Sequence, residues 1–352
     1  MDEAATLLRR AERPVIYAGG GVISAGASSE VRALAETLRA PVVTTVQGRG
    51  SIPDDHPLSL GNAWGRTSPF TRLAQAADVV LAVGTRLSES STDGWRLPLP
   101  ANLIVVDVDT ALPGRHYPVR VALAGDARAV LGQLLDAVDG FAAPDRRAFL
   151  AEVAVWREAE AARVTRIAPV AAQFLQTLRQ ALDRDAIVVN DMTMPSYWAQ
   201  RYFPVYEPRT FLFPYYFGTL GFSMPAAIGA RLAHPERQVV SICGDGGFLF
   251  TCQELATAVQ LGLNLPVIVF NDHCFSGVKG AQDRALGGRH IGINLVNPDF
   301  MALGRAFGAR SCRVEDVSQL AEPLADAFAA DGPSLIEVPI GLPSPRVMAA
   351  AG

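Results

Sequence analysis

The chain has 352 residues, of which 49% are hydrophobic and 19% charged, and its formal net charge is -4. This composition is typical of a globular protein with a sizeable core, and roughly 150 residues per domain predicts two domains. The small net charge and the lack of Lys/Arg-rich runs argue against nucleic acid or an anionic membrane surface as the main partner. No stretch of about 18 uncharged apolar residues occurs, so we expect no membrane span.

The N-terminal segment MDEAATLLRRAERP is charged and lacks the apolar region of a secretory signal. The cysteines form no C-x-x-C pair and indicate no disulfide framework. They are Cys243, Cys252, Cys274 and Cys312. Reduced thiols are the simplest interpretation, and we therefore expect a cytoplasmic protein.

Apolar runs alternate with amphipathic segments along both halves of the chain. In the first half, the expected strands are PVIYAGGGV, PVVTTV, DVVLAV and NLIVVDVD, and the expected helices are EVRALAETLRA and FTRLAQAA. In the second half, the expected strands are AIVVND, VVSICGDGG, PVIVFND and SLIEVPI, with helices such as MPAAIGARLA between them. Strands that are apolar throughout and separated by helices are typical of a parallel sheet covered on both faces.

The fold class that follows is α/β, with two doubly wound parallel-sheet domains. The first is a Rossmann-like domain over residues 1–140, and the second covers residues 169–352. Residues 141–168 between them are charged and rich in alanine, which predicts a linker helix.

A glycine-rich turn interrupts an apolar strand at SICGDGGFLF, residues 241–250. Asp245 lies in this turn, and Asn271 ends the next strong strand, 26 positions later. Ligands of open α/β sheets bind beyond the carboxyl ends of strands, and a right-handed β-α-β unit brings two such ends together. Two oxygen-bearing side chains suit Mg²⁺, whereas the backbone amides of Gly246 and Gly247 suit a phosphate. The pattern therefore indicates a site for a metal and a diphosphate.

A plainer interpretation of the same residues stays open at this point. GDGG is a common turn composition, aspartate often caps a helix, and asparagine often follows a strand. Each residue fits this plainer role when it is taken singly. The joint arrangement favours the metal and the diphosphate.

The ordered set of segments resembles the thiamine-diphosphate-dependent enzymes of the acetolactate synthase and benzoylformate decarboxylase type. GDG followed by N matches their cofactor motif, and YYFGTLGFSMPAAIGA is similar to the segment that precedes it. RPVIYAGGGV, PVVTTVQGRGSIPDDHPLSLG and ADVVLAVGTRL resemble the central domain of the acetolactate-synthase type. The resemblance covers nearly the whole chain and implies thiamine diphosphate and Mg²⁺ as cofactors.

The resemblance also implies roles for individual residues. Asp245 and Asn271 would provide side-chain oxygens to Mg²⁺, and His273 would provide a backbone carbonyl. As the implied catalytic residues, Gly218 and Leu220 would bind the aminopyrimidine ring through backbone groups, and the Leu220 side chain would bend the cofactor. A core leucine is the alternative for Leu220. The other implied cofactor contacts are Asp191, Thr193, Thr219, Gly244, Gly246, Gly247, Cys274 and Phe275.

We find no counterpart of the family's third domain, which binds the pyrimidine ring and carries an activating glutamate. Glu254 follows the metal turn too closely, and we expect it to be structural. We therefore expect the large subunit of a heteromer with two copies of each chain, in which a second polypeptide provides the pyrimidine-binding domain. A truncated single-chain enzyme and a non-catalytic regulatory partner are the alternatives.

The implied reaction is loss of CO₂ from a small 2-oxo acid, followed by protonation or by ligation to a second carbonyl. Acetolactate synthases carry an acceptor-selecting tryptophan where this chain has Ala281, which argues against a strict acetolactate synthase. Lys279 and Gln282 could face the substrate, although a surface position is favoured. Tyr215, Tyr216 and Phe217 could line a pocket or pack at the edge of the sheet; these last alternatives stay open.

A nucleotide site in the first domain is the remaining question. AGGG, residues 18–21, resembles a nucleotide turn but lacks the full G-x-G-x-x-G, so we do not expect FAD to be retained. A nucleotide-binding oxidoreductase built on two α/β domains is a further alternative. It leaves the spacing of GDG and asparagine unexplained.

Overall fold

The computed structural model of the protein describes residues 1–62 and 69–345. The chain divides into two compact units. The first contains Met1–Arg163 and Pro204–Arg209, and the second contains Val164–Phe203 and the described residues from Thr210 onward. Each unit is built on one parallel sheet, which confirms the predicted α/β class. Within the described ranges, no helix is long and apolar enough to cross a membrane.

The domain boundaries proposed from the sequence, at residues 140 and 169, stay predictions. The end of the second predicted domain, residues 346–352, lies outside the described residues.

Six parallel strands form the centre of the first unit. They are β1 (Pro14–Ala18), β2 (Val42–Thr44), β3 (Ser59–Asn62), β4 (Val79–Val83), β5 (Asn102–Asp107) and β6 (Val121–Ala124). The helices are α1 (Asp2–Arg10), α2 (Gly20–Ala25), α3 (Ser28–Leu38), α4 (Pro69–Ala76) and α5 (Ala127–Val138), with a 3-10 turn at Val46–Gly48. A sixth helix, α6 (Arg147–Ile167), begins in this unit, and its residues from Val164 onward belong to the second. The strand order β3-β2-β1-β4-β5-β6 is that of a Rossmann fold.

The central strands of this sheet are apolar throughout because helices cover both of its faces. Every residue of β1 and β4 is buried, and successive side chains enter two separate hydrophobic clusters. Ile16 and Leu81 belong to one cluster, and Tyr17 and Ala82 to the other. The edge strand β6 instead alternates between half-buried and exposed residues.

Glycines after β1 and β4 let two backbone segments touch. A Cβ added to Gly84 would lie 2.5 Å from the Cα of Gly21, and one added to Gly19 would lie 2.2 Å from the Gly84 oxygen. The Gly21 amide donates to that oxygen at 2.9 Å. No larger residue fits such an approach, so the glycines of AGGG have a packing role here.

The second unit also has six parallel strands. They are β7 (Ile187–Asn190), β8 (Phe211–Leu212), β9 (Val239–Gly244), β10 (Pro266–Phe270), β11 (Arg310–Arg313) and β12 (Ser334–Val338), in the order β11-β12-β10-β9-β7-β8. The helices are α7 (Pro169–Ala181), α8 (Met194–Tyr202), α9 (Ser223–Ala233), α10 (Asp245–Leu249), α11 (Glu254–Gln260), α12 (Ser276–Leu286), α13 (Phe300–Phe307) and α14 (Ala321–Phe328), with a 3-10 turn at Val317–Gln319.

The two central strands of this sheet end side by side. All residues of β9 and β10 are buried, and their register pairs Gly244 with Phe270. The residues that follow, Asp245 and Asn271, therefore leave the sheet at the same point of its carboxyl edge. This edge is where ligands of open α/β sheets bind.

Candidate cofactor site

Asp245 and Asn271, predicted as a pair, lie together at the carboxyl edge of the second sheet. Asp245 is 2% exposed and Asn271 is 7% exposed. Burial raises the pKa of the Asp245 carboxyl, while hydrogen bonds to that carboxyl, from the Gly246 and His273 amides among others, oppose the rise. A buried carboxylate without a cationic partner is costly to ionise, so this position favours binding of a positive charge.

Asn297 joins the two predicted metal ligands. Its Nδ2 donates to Asp245 Oδ2 at 2.7 Å and to Asn271 Oδ1 at 2.8 Å. Both oxygens therefore face the same small space. The NH₂ group of Asn297, which is electropositive, lies in that space. The Oδ1 of Asn297 is buried and has no hydrogen-bond partner among the residues that the structure describes. Rotation of this amide would turn a third oxygen toward the same space.

The donor set of this space fits a hard cation. Mg²⁺ prefers oxygen ligands and uses few carboxylates when a diphosphate completes its shell. In the described part of the chain, no group of three or more His, Cys, Asp or Glu side chains could hold a metal. A cation at this position would therefore depend on one carboxylate, amide oxygens and backbone carbonyls.

His273 lies beside this space in a backbone conformation that is uncommon for histidine. Its φ is 56°, and its carbonyl accepts a hydrogen bond from the Leu295 amide at 2.8 Å. A carbonyl oxygen has a second lone pair, so this bond leaves acceptor capacity for a cation. The left-handed conformation turns the backbone sharply just after β10.

The glycines of the turn leave no room for side chains. A Cβ on Gly246 would lie 2.3 Å from the Phe275 ring, and one on Gly244 would lie 2.6 Å from Thr193 Oγ1. These contacts bring Thr193 and Phe275, both predicted from the resemblance, to the same turn. The Gly246 amide itself donates to Asp245 Oδ1 at 2.8 Å.

The Asp191 carboxylate is engaged by backbone amides, including one at the start of α9, and does not face an open space. Its carboxylate accepts from the Met192 amide at 2.7 Å and from the Ser223 amide at 3.3 Å. Burial raises its pKa, and these backbone hydrogen bonds lower it. A Cβ on Gly247 would lie 3.2 Å from the Asp191 carboxyl carbon, so this side chain backs the glycine turn.

Two amides predicted to bind the diphosphate already have acceptors. The Cys274 amide donates to Asp272 Oδ1 at 3.2 Å, and the Phe275 amide donates to the Ile293 carbonyl at 2.8 Å. Helix α12 begins one residue later, at Ser276, without a side-chain cap. The first amides of a helix have no acceptor within it, so the start of α12 offers further donors beside the turn.

The GTL segment is half-exposed. Gly218 has a φ of 68°, Leu220 is half-buried and does not belong to the buried core, and Thr219 is exposed. Tyr216 and Phe217 are 68% and 93% exposed, so these two rings do not pack against the edge of the sheet. The rings of Tyr216 and Phe217 are thus exposed apolar groups beside the GTL segment.

The residues discussed as substrate contacts lie on α12, which has no buried residue. Lys279 and Ala281 are exposed. Gln282 exchanges two hydrogen bonds of 2.9 Å with the backbone of Ile291. Glu254, expected to be structural, accepts from Thr257 Oγ1 at 3.3 Å within its own helix.

Two polar residues of the site were missed from the sequence. Asn297 lies in a loop, and no pattern in the sequence distinguishes it. Glu337 lies within β12 and accepts a hydrogen bond from Asn271 Nδ2 at 2.7 Å. The signal for Glu337 was available, because a charged residue inside the apolar run SLIEVPI is rare unless it has a partner.

Family profiles match most of the chain. The profile of the thiamine pyrophosphate enzyme central domain matches residues 1–134. The profile of the thiamine pyrophosphate enzyme C-terminal TPP binding domain matches residues 191–338, which include Asp245, Asn271 and Asn297.

Curated relatives agree with these profiles. A protein of Pseudomonas aeruginosa named probable 2-ketoarginine decarboxylase is 39% identical over 95% of this chain and 59% of its own length. A probable acetolactate synthase large subunit of Methanocaldococcus jannaschii is 34% identical over 97% of this chain and 59% of its own length. The large subunit of acetolactate synthase isozyme 3 of Escherichia coli is 31% identical, with 93% and 59% covered.

The chain thus spans 59% of the length of these relatives. The two profiles match it in the order of its two sheets, and the second profile includes the strand ends at which Asp245 and Asn271 meet. The chain therefore belongs to the thiamine pyrophosphate enzymes of the acetolactate synthase and 2-oxo acid decarboxylase type.

Proposed function

We propose that this chain binds the diphosphate of thiamine diphosphate through Mg²⁺ and forms part of an enzyme that decarboxylates a 2-oxo acid. The convergence of Asp245 Oδ2 and Asn271 Oδ1 on one space, within 2.7 and 2.8 Å of a single nitrogen, carries the proposal. Both oxygens lie at the carboxyl edge of the sheet, where ligands of open α/β sheets bind.

The residues of this chain divide the work of binding. Asp245 and Asn271, with the His273 carbonyl, would hold Mg²⁺, and the glycine turn would let the diphosphate approach the backbone. Thr193 and the first amides of α12 would donate to phosphate oxygens. When bound, thiamine diphosphate provides the nucleophilic carbon and the electron sink that decarboxylation of a 2-oxo acid requires.

The GTL segment would bind the other end of the cofactor. The Gly218 carbonyl and the Leu220 amide would meet the aminopyrimidine ring, and the half-buried Leu220 side chain would support the bent conformation. Gly244, Gly247, Thr219 and Asp191 would act indirectly, by shaping the turn and holding the loop. The engaged amides of Cys274 and Phe275 would first have to exchange their present acceptors.

We further propose that a pyrimidine-binding domain outside these 352 residues completes the active site and brings the activating glutamate. The exposed Tyr216 and Phe217 are consistent with such a covering surface. Two of the relatives are named large subunits, which supports a heteromeric assembly. A longer single chain that contains the same domain would use the same surface.

The proposed cofactor alone does not determine which product the enzyme forms. The names of the relatives include both a decarboxylase and synthases, so the product after loss of CO₂ would be an aldehyde or the compound formed with a second carbonyl substrate. Ala281 is exposed on α12, so a small side chain would stand where acetolactate synthases carry the acceptor-selecting tryptophan. A nicotinamide-dependent oxidoreductase has no comparable support.

Isothermal titration calorimetry tests the proposal by ligand removal. We expect thiamine diphosphate to bind in the presence of Mg²⁺, and to lose at least about 90% of its bound fraction when EDTA removes the cation, since the cation neutralises the diphosphate against Asp245. NAD serves as the control and should release no heat. Binding of thiamine diphosphate that is equally tight with and without EDTA, or binding of NAD instead, would contradict the proposal.

A further inference from the structure

We infer that Glu337, held by Arg313, is a positioning residue that fixes which end of the Asn271 amide faces the cation site. The inference rests on the proposed function, because it assigns a role toward the proposed Mg²⁺. It concerns residues of the second unit that lie one strand and two strands away from the site.

The sheet register places these side chains in one row. β12 lies between β11 and β10, and Glu337 is paired with Arg313 on one side and Val269 on the other. Side chains two residues apart on a strand point to the same face, so Asn271 shares a face with Val269 and with Glu337. The row Arg313, Glu337, Asn271 thus leads from the edge of the sheet to the cation site.

Glu337 is the acceptor of the hydrogen bonds on both of its sides in this row. Arg313 donates from Nε and Nη2 to Glu337 Oε2 at 3.0 and 2.9 Å. Asn271 donates from Nδ2 to Glu337 Oε1 at 2.7 Å, and its Oδ1 then faces Asp245 and Asn297. A carboxylate accepts only, so Glu337 binds the NH₂ end of the amide and excludes the flipped orientation.

Glu337 is buried, and a buried carboxylate is unfavourable for folding, so its presence within β12 calls for a functional reason. The side chain is 1% exposed, whereas that of Arg313 is 48% exposed. Removing a carboxylate from water is unfavourable, and the pairing with Arg313 offsets this cost only in part. An apolar residue at this position of the buried strand β12 would avoid that cost but would leave the Asn271 amide free to flip.

Substitution of Glu337 by glutamine distinguishes a packing role from a positioning role. A packing role predicts unchanged cation affinity, whereas a positioning role predicts weaker binding. The introduced glutamine side chain has a single acceptor oxygen, and the cationic Arg313 should capture it. The glutamine NH₂ then faces Asn271, which must flip and present its own NH₂ to the cation. We expect Glu337→Gln to weaken Mn²⁺ and Mg²⁺ affinity about 10–100-fold, the usual effect of losing an outer-shell partner of a metal ligand.

The double variant Asn271→Asp/Glu337→Gln reverses the donor and the acceptor of the pair. The glutamine NH₂ would donate to one oxygen of the new carboxylate and leave the other oxygen for the cation. We therefore expect the double variant to recover at least the wild-type Mn²⁺ affinity. Asn271→Asp alone places two carboxylates at hydrogen-bond distance and should bind less tightly than the double variant.

The experiment measures Mn²⁺ affinity by electron paramagnetic resonance with thiamine diphosphate at a fixed concentration, and folding by circular dichroism. Glu315→Gln is the control, because it removes an exposed charge near Arg313 without contact to Asn271. If wild-type protein binds no Mn²⁺ and cofactor, the proposed function fails. If wild-type protein binds them and Glu337→Gln binds equally well, or the double variant is no better than Glu337→Gln, the positioning role is wrong. Should Glu337→Gln fail to fold, the double variant decides by itself: its wild-type-like affinity supports the role, and loss of affinity in a folded protein overturns it.

Discussion

Asp245→Ala is expected to lower the affinity for thiamine diphosphate in the presence of Mg²⁺ by at least about 100-fold, because loss of an outer-shell partner alone costs roughly 10–100-fold. The substitution removes the carboxylate that shares the Asn297 amide with Asn271. No other carboxylate is placed by the described hydrogen bonds on that amide. Calorimetric titration with cofactor and Mg²⁺ gives the change directly.

Two further variants separate binding from folding. Asp245→Asn keeps the shape of the side chain and removes its charge, so it should also bind poorly while the unliganded protein stays folded. Since burial raises the pKa of the Asp245 carboxyl, removing this ionisable group should not lower the thermal stability of the protein at neutral pH without Mg²⁺. Asp331→Ala removes an exposed carboxylate of the same unit and should bind like wild type. Unchanged cofactor affinity in folded Asp245→Ala would remove Asp245 from the metal site.

Gly84→Ala should destabilise the first unit by about 3 kcal/mol or more, since it combines a left-handed backbone with overpacking. Gly84 has a φ of 56°, and the added Cβ would lie 2.5 Å from the Cα of Gly21 and 2.8 Å from its carbonyl carbon. Backbone atoms cannot move aside as a flexible side chain can. Hydrogen exchange read by mass spectrometry should show faster exchange in peptides that contain β1 and β4.

Gly26→Ala is the matched control for this prediction. Gly26 has a φ of 63°, close to that of Gly84, but an added Cβ would meet no atom within 4 Å. Its cost should therefore be the backbone term alone, about 1–2 kcal/mol. Equal exchange rates in the two variants would show that the contact between the backbones of Gly84 and Gly21 has no energetic importance.

The strands that were foreseen from the sequence are those that lie inside the sheets. β1, β4, β9 and β10 are fully buried, so their apolar runs are continuous and easily recognised. The edge strands were missed for the same physical reason. β11 reads RSCR and β8 has two residues, because an edge strand needs little apolar surface.

Helix α12 was missed because it lacks an apolar stripe. None of its residues is buried, so no helical periodicity marks SGVKGAQDRAL. α2 was misjudged in the other direction. The glycines of AGGG were expected to end a strand, whereas Gly20 already begins a helix that their close packing permits.

The part of the candidate site that could be predicted from the sequence is the part that lies at the ends of strands. Asp245 and Asn271 follow neighbouring apolar strands, so their meeting could be inferred from spacing and the handedness of β-α-β units. Asn297 comes from a loop 26 residues beyond Asn271, and nothing local fixes its approach. Loop backbones also decide which amides are engaged, as at Cys274 and Phe275, and sequence patterns do not contain that information.

The most direct test of the central claim uses Mn²⁺ in place of Mg²⁺, since both bind oxygen ligands in octahedral geometry. Electron-nuclear double resonance of the protein with Mn²⁺ and thiamine diphosphate measures the coupling between the metal and ³¹P. We expect strong ³¹P coupling in wild-type protein, which places phosphate oxygens directly on the cation, and its loss in Asp245→Ala. Cofactor bound without ³¹P coupling, or coupling unchanged by Asp245→Ala, would contradict a cation held by Asp245 and Asn271 against the diphosphate.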